Sequence, residues 1–259
     1  MTPVQGAIMG VVQGLTEFLP VSSSGHLAVA RHLLHAGLAE DVGFEVAVHL
    51  GTLVAVLIFF RQRIISIFSE ALKGGKEGLN WIGYIVIGTI PAGVVGLMFK
   101  DQIDELFNDI HLVGIAWIFT AIILFASERF GKPKVAVSQM GYLRAFTIGL
   151  AQALAIIPGI SRSGSTIAAS MATGVKKEGS VDFVFILSLP AIGGAALLTI
   201  KDWMDGSAGF GIEHILGGIT AAISGYFAIA IMLKVVSGGK LFWFAAYCLV
   251  AGVVTVILV

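Results

Sequence analysis

Long apolar stretches bounded by charged and turn residues recur along the chain, at about residues 44–60, 80–99, 111–128, 180–200, 213–234 and 241–259. A helix needs roughly 20 apolar residues to cross the hydrocarbon core, so each stretch predicts a full membrane span. Two further apolar regions, 3–36 and 139–175, are interrupted in the middle by proline, glycine and a run of hydroxyls. The interruptions read Pro20-Val-Ser-Ser-Ser-Gly-His26 and Pro158-Gly-Ile-Ser-Arg-Ser-Gly-Ser165. Irregular backbone at membrane depth is tolerated only where it is buried in protein or lines a wet cavity. Each region therefore predicts a re-entrant helical hairpin with a polar tip, and the two tips can meet in one cavity.

The halves resemble each other at a fixed offset of 139 residues, which pairs Gly10 with Gly149, Gln13 with Gln152, Ser22 with Ser161, Ser24 with Ser163 and Gly25 with Gly164. The offset also sets Phe44 and Leu50 beside Phe183 and Leu189. One ungapped offset over some forty residues points to an internal repeat. Loop charges test its sense, since cytoplasmic loops carry the excess of Lys and Arg. With the loop holding Arg61, Arg63, Lys73 and Lys76 inside, the six spans also place Arg129, Lys132, Lys134, Arg144, Lys176, Lys177, Lys234 and Lys240 inside. Arg31, Lys100 and Lys201 fall outside. The first hairpin then enters from outside and the second from inside, as an inverted repeat requires. The expected fold is an all-α polytopic membrane protein, one domain over 1–259, with repeat one at about 1–130 and repeat two at about 139–259.

Composition agrees with this reading. Hydrophobic residues make up 57% and charged residues 12%, against about 25% charged in soluble proteins, and the mean hydropathy is +0.94. The 16 basic and 16 acidic residues cancel, so no basic footprint suggests a nucleic-acid partner. The N-terminus lacks the charged start and cleavage site of a signal peptide, so the first helix is expected to be retained. Cys248 is the sole cysteine, which excludes a disulfide within the chain.

Ionisable groups inside apolar segments are costly and mark function by default. Four qualify: Glu17, His26, Glu45 and Arg162. Gln13 and Glu17 are four residues apart on the helix entering the first tip, so both project from one face. The tip adds Ser22, Ser23, Ser24 and His26, a hydroxyl and imidazole set suited to nucleophile and base. The second tip offers Arg162 among Ser161, Ser163 and Ser165 at a predicted helix start, a setting that holds phosphate through the guanidinium fork and the helix dipole. Serine runs at membrane-helix breaks also serve simply as caps, and Glu17 with Arg162 could be a purely structural pair. The convergence of acid, amide, hydroxyls, imidazole and guanidinium on two broken helices favours chemistry. A secondary transporter or lipid flippase is the alternative, because inverted repeats with broken helices are also the architecture of carriers.

The stretches Gln13-Gly-Leu-Thr-Glu17-Phe-Leu-Pro-Val-Ser-Ser-Ser-Gly-His26 and Pro158-Gly-Ile-Ser-Arg-Ser-Gly-Ser165 closely resemble the undecaprenyl pyrophosphate phosphatase family, the bacitracin-resistance phosphatases. Phe44-Glu-Val-Ala-Val-His-Leu-Gly51 and Gly88-Thr-Ile-Pro-Ala-Gly93 look like further family segments. The resemblance implies a hydrolase that removes the terminal phosphate of undecaprenyl diphosphate, recycling the lipid carrier of cell-wall (peptidoglycan) synthesis. It implies a multi-pass protein of the bacterial plasma (inner) membrane with its site open to the outer face, lipid partners, and a homodimer as an assembly it allows. It also implies a divalent metal, Mg²⁺ or Ca²⁺, which would fall on Glu17 and Gln13. Family members often carry Glu where this chain has Gln13. The catalytic set it implies is Glu17, Ser23, His26 and Arg162. Ser22, Ser24, Ser161, Ser163 and Ser165 join Arg162 around the phosphate, with Gln13 and Glu45 in support.

Overall fold

The computed structural model describes residues 1–34, 42–106, 109–131, 134–205 and 211–258; Lys132 lies outside the described residues, as does Val259 at the end of the last predicted span. The first hairpin is α1 (Pro3–Phe18) and α2 (Ser23–Leu34). Thr2 starts α1 with a capping box, its hydroxyl accepting from Gln5 N at 3.2 Å, and Pro3 occupies the first helical position, where its missing N–H costs nothing. The second hairpin is α8 (Tyr142–Leu154) and α9 (Arg162–Ala172). Both breaks fall where the proline and serine runs place them.

Among the described residues five helices are long and apolar enough to cross a membrane: α5 (Lys76–Met98), α7 (Ile110–Phe130), α10 (Lys177–Asp205, apolar over Gly179–Leu197), α11 (Ile212–Ser237) and α12 (Leu241–Leu258). The sixth expected span is α3 (Val42–Phe59), which continues into α4 (Arg61–Leu72) through a bend of 68°. The apolar span ends here because Arg61, Gln62 and Arg63 cannot extend it. Beyond it α4 is amphipathic, exposing Ile65, Phe68 and Leu72 while burying Ile67, the habit of a helix lying in the membrane interface. A short α6 (Lys100–Leu106) links α5 to α7. The protein is thus a multi-pass membrane protein with an outward belt of Val, Ile, Leu and Phe, including Ile8, Val86, Ile122, Phe227 and Val250.

Lipid offers no hydrophobic drive between helices, so close packing of small residues does that work. α1 lies on α11, where a Cβ at Gly10 would come within 2.2 Å of the Gly217 carbonyl oxygen. α8 lies on α5 through Gly149, whose Cβ would meet the Gly88 oxygen at 2.4 Å. α12 crosses α7 at Gly252, 2.6 Å from the Gly114 oxygen on the same measure. α3 and α10 pack together beneath the hairpins, and an aromatic core of Phe18, Phe60, Trp81, Phe183 and Phe185 fills the space between them.

The basic loops gather at one end of the molecule. Lys134 and Val135 donate to the Gly174 carbonyl at 2.7 and 2.8 Å, Arg144 Nε donates to the Thr173 carbonyl at 2.9 Å, and Phe242 N donates to Glu128 at 2.6 Å.

Candidate active site

The two breaks face each other and are held by the same helix. From α7, the Trp117 indole N–H donates to the Val21 carbonyl at 2.7 Å in the first break. One turn on, Thr120 Oγ1 accepts from Ser161 N at 3.1 Å and donates to the Gly159 carbonyl at 3.2 Å in the second. Cys248 on α12 donates to the Pro20 carbonyl at 3.4 Å, and Ser163 Oγ to the Leu19 carbonyl at 2.9 Å. These bonds satisfy carbonyls that unwinding the helices frees, which is what irregular backbone at membrane depth requires.

Each break ends in a serine-capped helix start of the same design. Ser22 Oγ accepts from Gly25 N at 3.3 Å and meets Ser24 Oγ at 3.1 Å. At the position 139 residues on, Ser161 Oγ accepts from Gly164 N at 3.1 Å and meets Ser163 Oγ at 3.2 Å. The hydroxyls of Ser22, Ser161 and Ser163 are therefore occupied by capping and by the contact between hairpins. What these serines leave free toward a ligand is the positive end of each helix. Ser22 holds the left-handed conformation, with φ 66°, a cost that surrounding contacts must offset.

Glu17 is the hub. It is buried, and Arg162 from the second hairpin pairs with its Oε1. Its Oε2 accepts from Ser23 Oγ at 2.5 Å and from Gln13 Nε2 at 3.0 Å. One carboxylate thus joins the helix before the first break, the helix after it and the helix after the second. Ser23 and Arg162 are the first residues of α2 and α9, so the dipoles of both helices converge on the same place.

His26 takes a different part from the one its sequence position suggests. It is not paired with Ser23: Nδ1 lies 2.7 Å from the Ser22 carbonyl and Nε2 lies 2.6 Å from Tyr247 Oη on α12. Its ring stands edge-on to Trp117 and stacks parallel to Tyr247. Tyr247 and Trp117 are members of this site that motif reading missed, since both sit in ordinary apolar spans. Glu45 lies half-buried in the first turn of α3, where His49 Nδ1 donates to its carbonyl at 2.7 Å.

Several buried polar atoms here have no partner among the described residues: Gln13 Oε1, Ser165 Oγ and both amide atoms of Gln152. Gln152 occupies on α8 the place that Gln13 has on α1. Unpaired buried acceptors and donors are costly. A metal fits this donor set in one way. The available ligands are oxygens, the Gln13 carbonyl and the Glu17 carboxylate, which suits a hard cation. Among the described residues no three His, Cys, Asp or Glu side chains group together, so such a cation would take its remaining coordination from substrate phosphate and water.

The family model described as bacitracin resistance protein BacA matches residues 6–254. An undecaprenyl-diphosphatase of Desulfosudis oleivorans is 41% identical over 98% of this chain and 98% of its own. One from Carboxydothermus hydrogenoformans is 42% identical over 100% of this chain and 98% of its own. One from Methanococcus maripaludis is 39% identical over 94% and 95%.

Proposed function

The chain belongs to the bacitracin resistance protein BacA family, and from that premise we propose that it is an undecaprenyl-diphosphatase whose chemistry centres on Glu17. It removes the terminal phosphate of undecaprenyl diphosphate, giving undecaprenyl phosphate and inorganic phosphate. The observation that carries the mechanism is the bridge made by Glu17 between Ser23 of one hairpin and Arg162 of the other. A carrier function is not favoured, because the full-length relatives carry a hydrolase's name.

Phosphoryl transfer asks mainly for positioning and for neutralisation of charge on the equatorial oxygens. Arg162 and the N-termini of α2 and α9 supply both. Ser23 Oγ attacks the terminal phosphorus while Glu17 Oε2, already accepting its proton, becomes protonated. The bond from that phosphorus to the bridging oxygen breaks, and the prenyl monophosphate departs. With a second ionisation near pH ~6, it needs no acid to leave. Water then displaces Oγ from phosphorus, Glu17 returns its proton to Oγ, and phosphate leaves with the hydrogens of the water.

His26 acts as a positioning residue, because its Nδ1–H bond to the Ser22 carbonyl fixes the left-handed turn that aims Ser23. Mg²⁺ or Ca²⁺ held by Glu17 and the Gln13 carbonyl would supply further charge neutralisation to the diphosphate. The prenyl chain lies among the apolar helix faces. The site opens to the outer face of the bacterial plasma membrane, opposite the basic loops, and the two halves are inverted repeats; the matching serine caps support that symmetry.

The test is phosphate release from undecaprenyl diphosphate by purified protein in detergent, with and without EDTA, for wild type, Glu17→Gln and Arg162→Ala. Release by wild type and its loss in both folded variants is the expected result. Absence of release from folded wild type overturns the reading and sends the question to a flux assay in liposomes.

A further inference from the structure

At the basic end of the molecule, away from the hairpin tips, a cavity of about 190 Å³ opens between α4, α5, the 136–138 segment and the start of α10. Its polar lining is Arg63, Glu77, Trp81, Ser138, Lys176 and Asp182. Trp81 is 1% exposed, yet its indole N–H has no partner among the described residues, and Arg63 Nε is likewise buried and unpartnered. The Arg63 guanidinium lies over the Trp81 ring, 4.7 Å from its centre, and a second nitrogen lies 3.5 Å from Glu77. A single water of about 30 Å³ would satisfy the indole and leave most of this space empty.

Charge and depth select what would fill the rest. The two cations, Arg63 and Lys176, are matched by two carboxylates, Glu77 and Asp182. A bare anion would gain from the first pair and be repelled by the second. A zwitterion with a phosphate at one end and an ammonium at the other answers both. Trp81 and Asp182 lie near the starts of the apolar spans α5 and α10, and Arg63 lies on the interfacial α4. That is headgroup depth, where Trp and Arg concentrate.

We propose that this cavity is a binding site for the headgroup of an aminophospholipid. The indole N–H, Arg63 and Lys176 take the phosphate, and Asp182 with Glu77 takes the primary ammonium. The same phosphate chemistry is offered by inorganic phosphate, so the experiment must separate the two sources.

Native mass spectrometry of the detergent-solubilised protein, titrated with phosphatidylethanolamine, phosphatidylcholine, phosphatidylglycerol or inorganic phosphate, provides the test. Wild type retains phosphatidylethanolamine about tenfold better than the other lipids, since a quaternary ammonium cannot donate hydrogen bonds and a glycerol headgroup carries no cation. Trp81→Phe keeps the ring and removes one donor, lowering retention about tenfold, and Asp182→Asn abolishes the preference for the primary amine. Arg63→Gln, at a half-exposed position, repeats the loss without disturbing the core. Phosphatase turnover in all three variants stays at the wild-type level, which shows that they are folded. Equal retention of the three lipids, full retention by Trp81→Phe, or displacement of phosphatidylethanolamine by inorganic phosphate overturns the proposal.

Discussion

Tyr247 Oη lies 2.6 Å from Nε2 of His26, 221 residues away in sequence. The opposite ring nitrogen lies 2.7 Å from the Ser22 carbonyl oxygen, which can only accept, so Nδ1 carries the hydrogen. In the neutral ring Nε2 then accepts from the tyrosine. The imidazole is thus held at both nitrogens and has no lone pair to offer Ser23, whose proton goes to Glu17 instead.

Removing the phenol alone therefore tests whether His26 positions the tip. Tyr247→Phe is expected to lower kcat by up to about tenfold, the value of one hydrogen bond, with KM little changed. A variant with wild-type kcat would show that the tip holds Ser23 without this anchor.

Much of this arrangement is legible in the sequence, for reasons particular residues make clear. Pro91 and Pro190 lie inside unbroken helices, whereas Pro20 and Pro158 are each followed by glycine and a run of hydroxyls that cap the next helix, so both breaks stand where the combined pattern places them. The pairing of Glu17 with Arg162 follows from the cost of leaving either charge unpaired in lipid. The pairing of Ser23 with His26 did not follow. Three residues' separation at a helix start brings two side chains near, but the orientation of the ring is set by Ser22, which bends into the left-handed region, and by Tyr247 from a distant span. Nothing local announces either. The bend between α3 and α4 was equally hidden, because the apolar pattern ends at Phe60 whether the chain turns along the interface or leaves the membrane.

Glu17 and Arg162 are coupled, and a double-mutant cycle measures by how much. Replacing one partner leaves the other buried and unpaired, so Glu17→Gln and Arg162→Met each lower stability, by about 3–5 kcal/mol as for other broken buried pairs. The double variant should be less destabilised than the sum of the two. Thermal unfolding in detergent reads this out, and additive losses would mean that the two charges do not stabilise each other.

The Gly149 contact with Gly88 sets how closely α8 approaches α5. A Cβ there would lie 2.4 Å from a backbone oxygen, which no rotamer change relieves. Gly149→Val is expected to separate the two helices, lower the unfolding temperature and reduce turnover together, whereas Gly93→Ala, with open space around it, should leave both unchanged. Normal stability in Gly149→Val would show that the hairpin seats by other contacts.

Gln13→Glu bears on the metal. Its amide carbonyl is buried without a partner beside Glu17, and a second carboxylate there adds repulsion that a divalent cation relieves. The variant is expected to be less stable than wild type in EDTA and to need less Mg²⁺ or Ca²⁺ for half-maximal phosphate release. A titration curve unchanged from wild type would remove Gln13 from the set of metal ligands.

Ser23 distinguishes covalent from direct attack. If Oγ is the nucleophile, rapid acid quench of wild type turning over substrate labelled in its terminal phosphate leaves label on the protein at Ser23, because a phosphate ester of serine survives acid. Ser23→Ala then loses turnover by about 10³-fold or more, the scale on which an activated nucleophile that acts as a unit with its base is missed. Ser23→Cys, which keeps a nucleophile but a longer and softer one, should fall between them. If water attacks directly, no label is trapped and Ser23→Ala keeps a substantial rate, since Glu17 and Arg162 would still be in place to orient the water and neutralise the transition state. In that event the bond from Ser23 Oγ to Glu17 at 2.5 Å marks only the position a water molecule would take, and Glu17 remains the base.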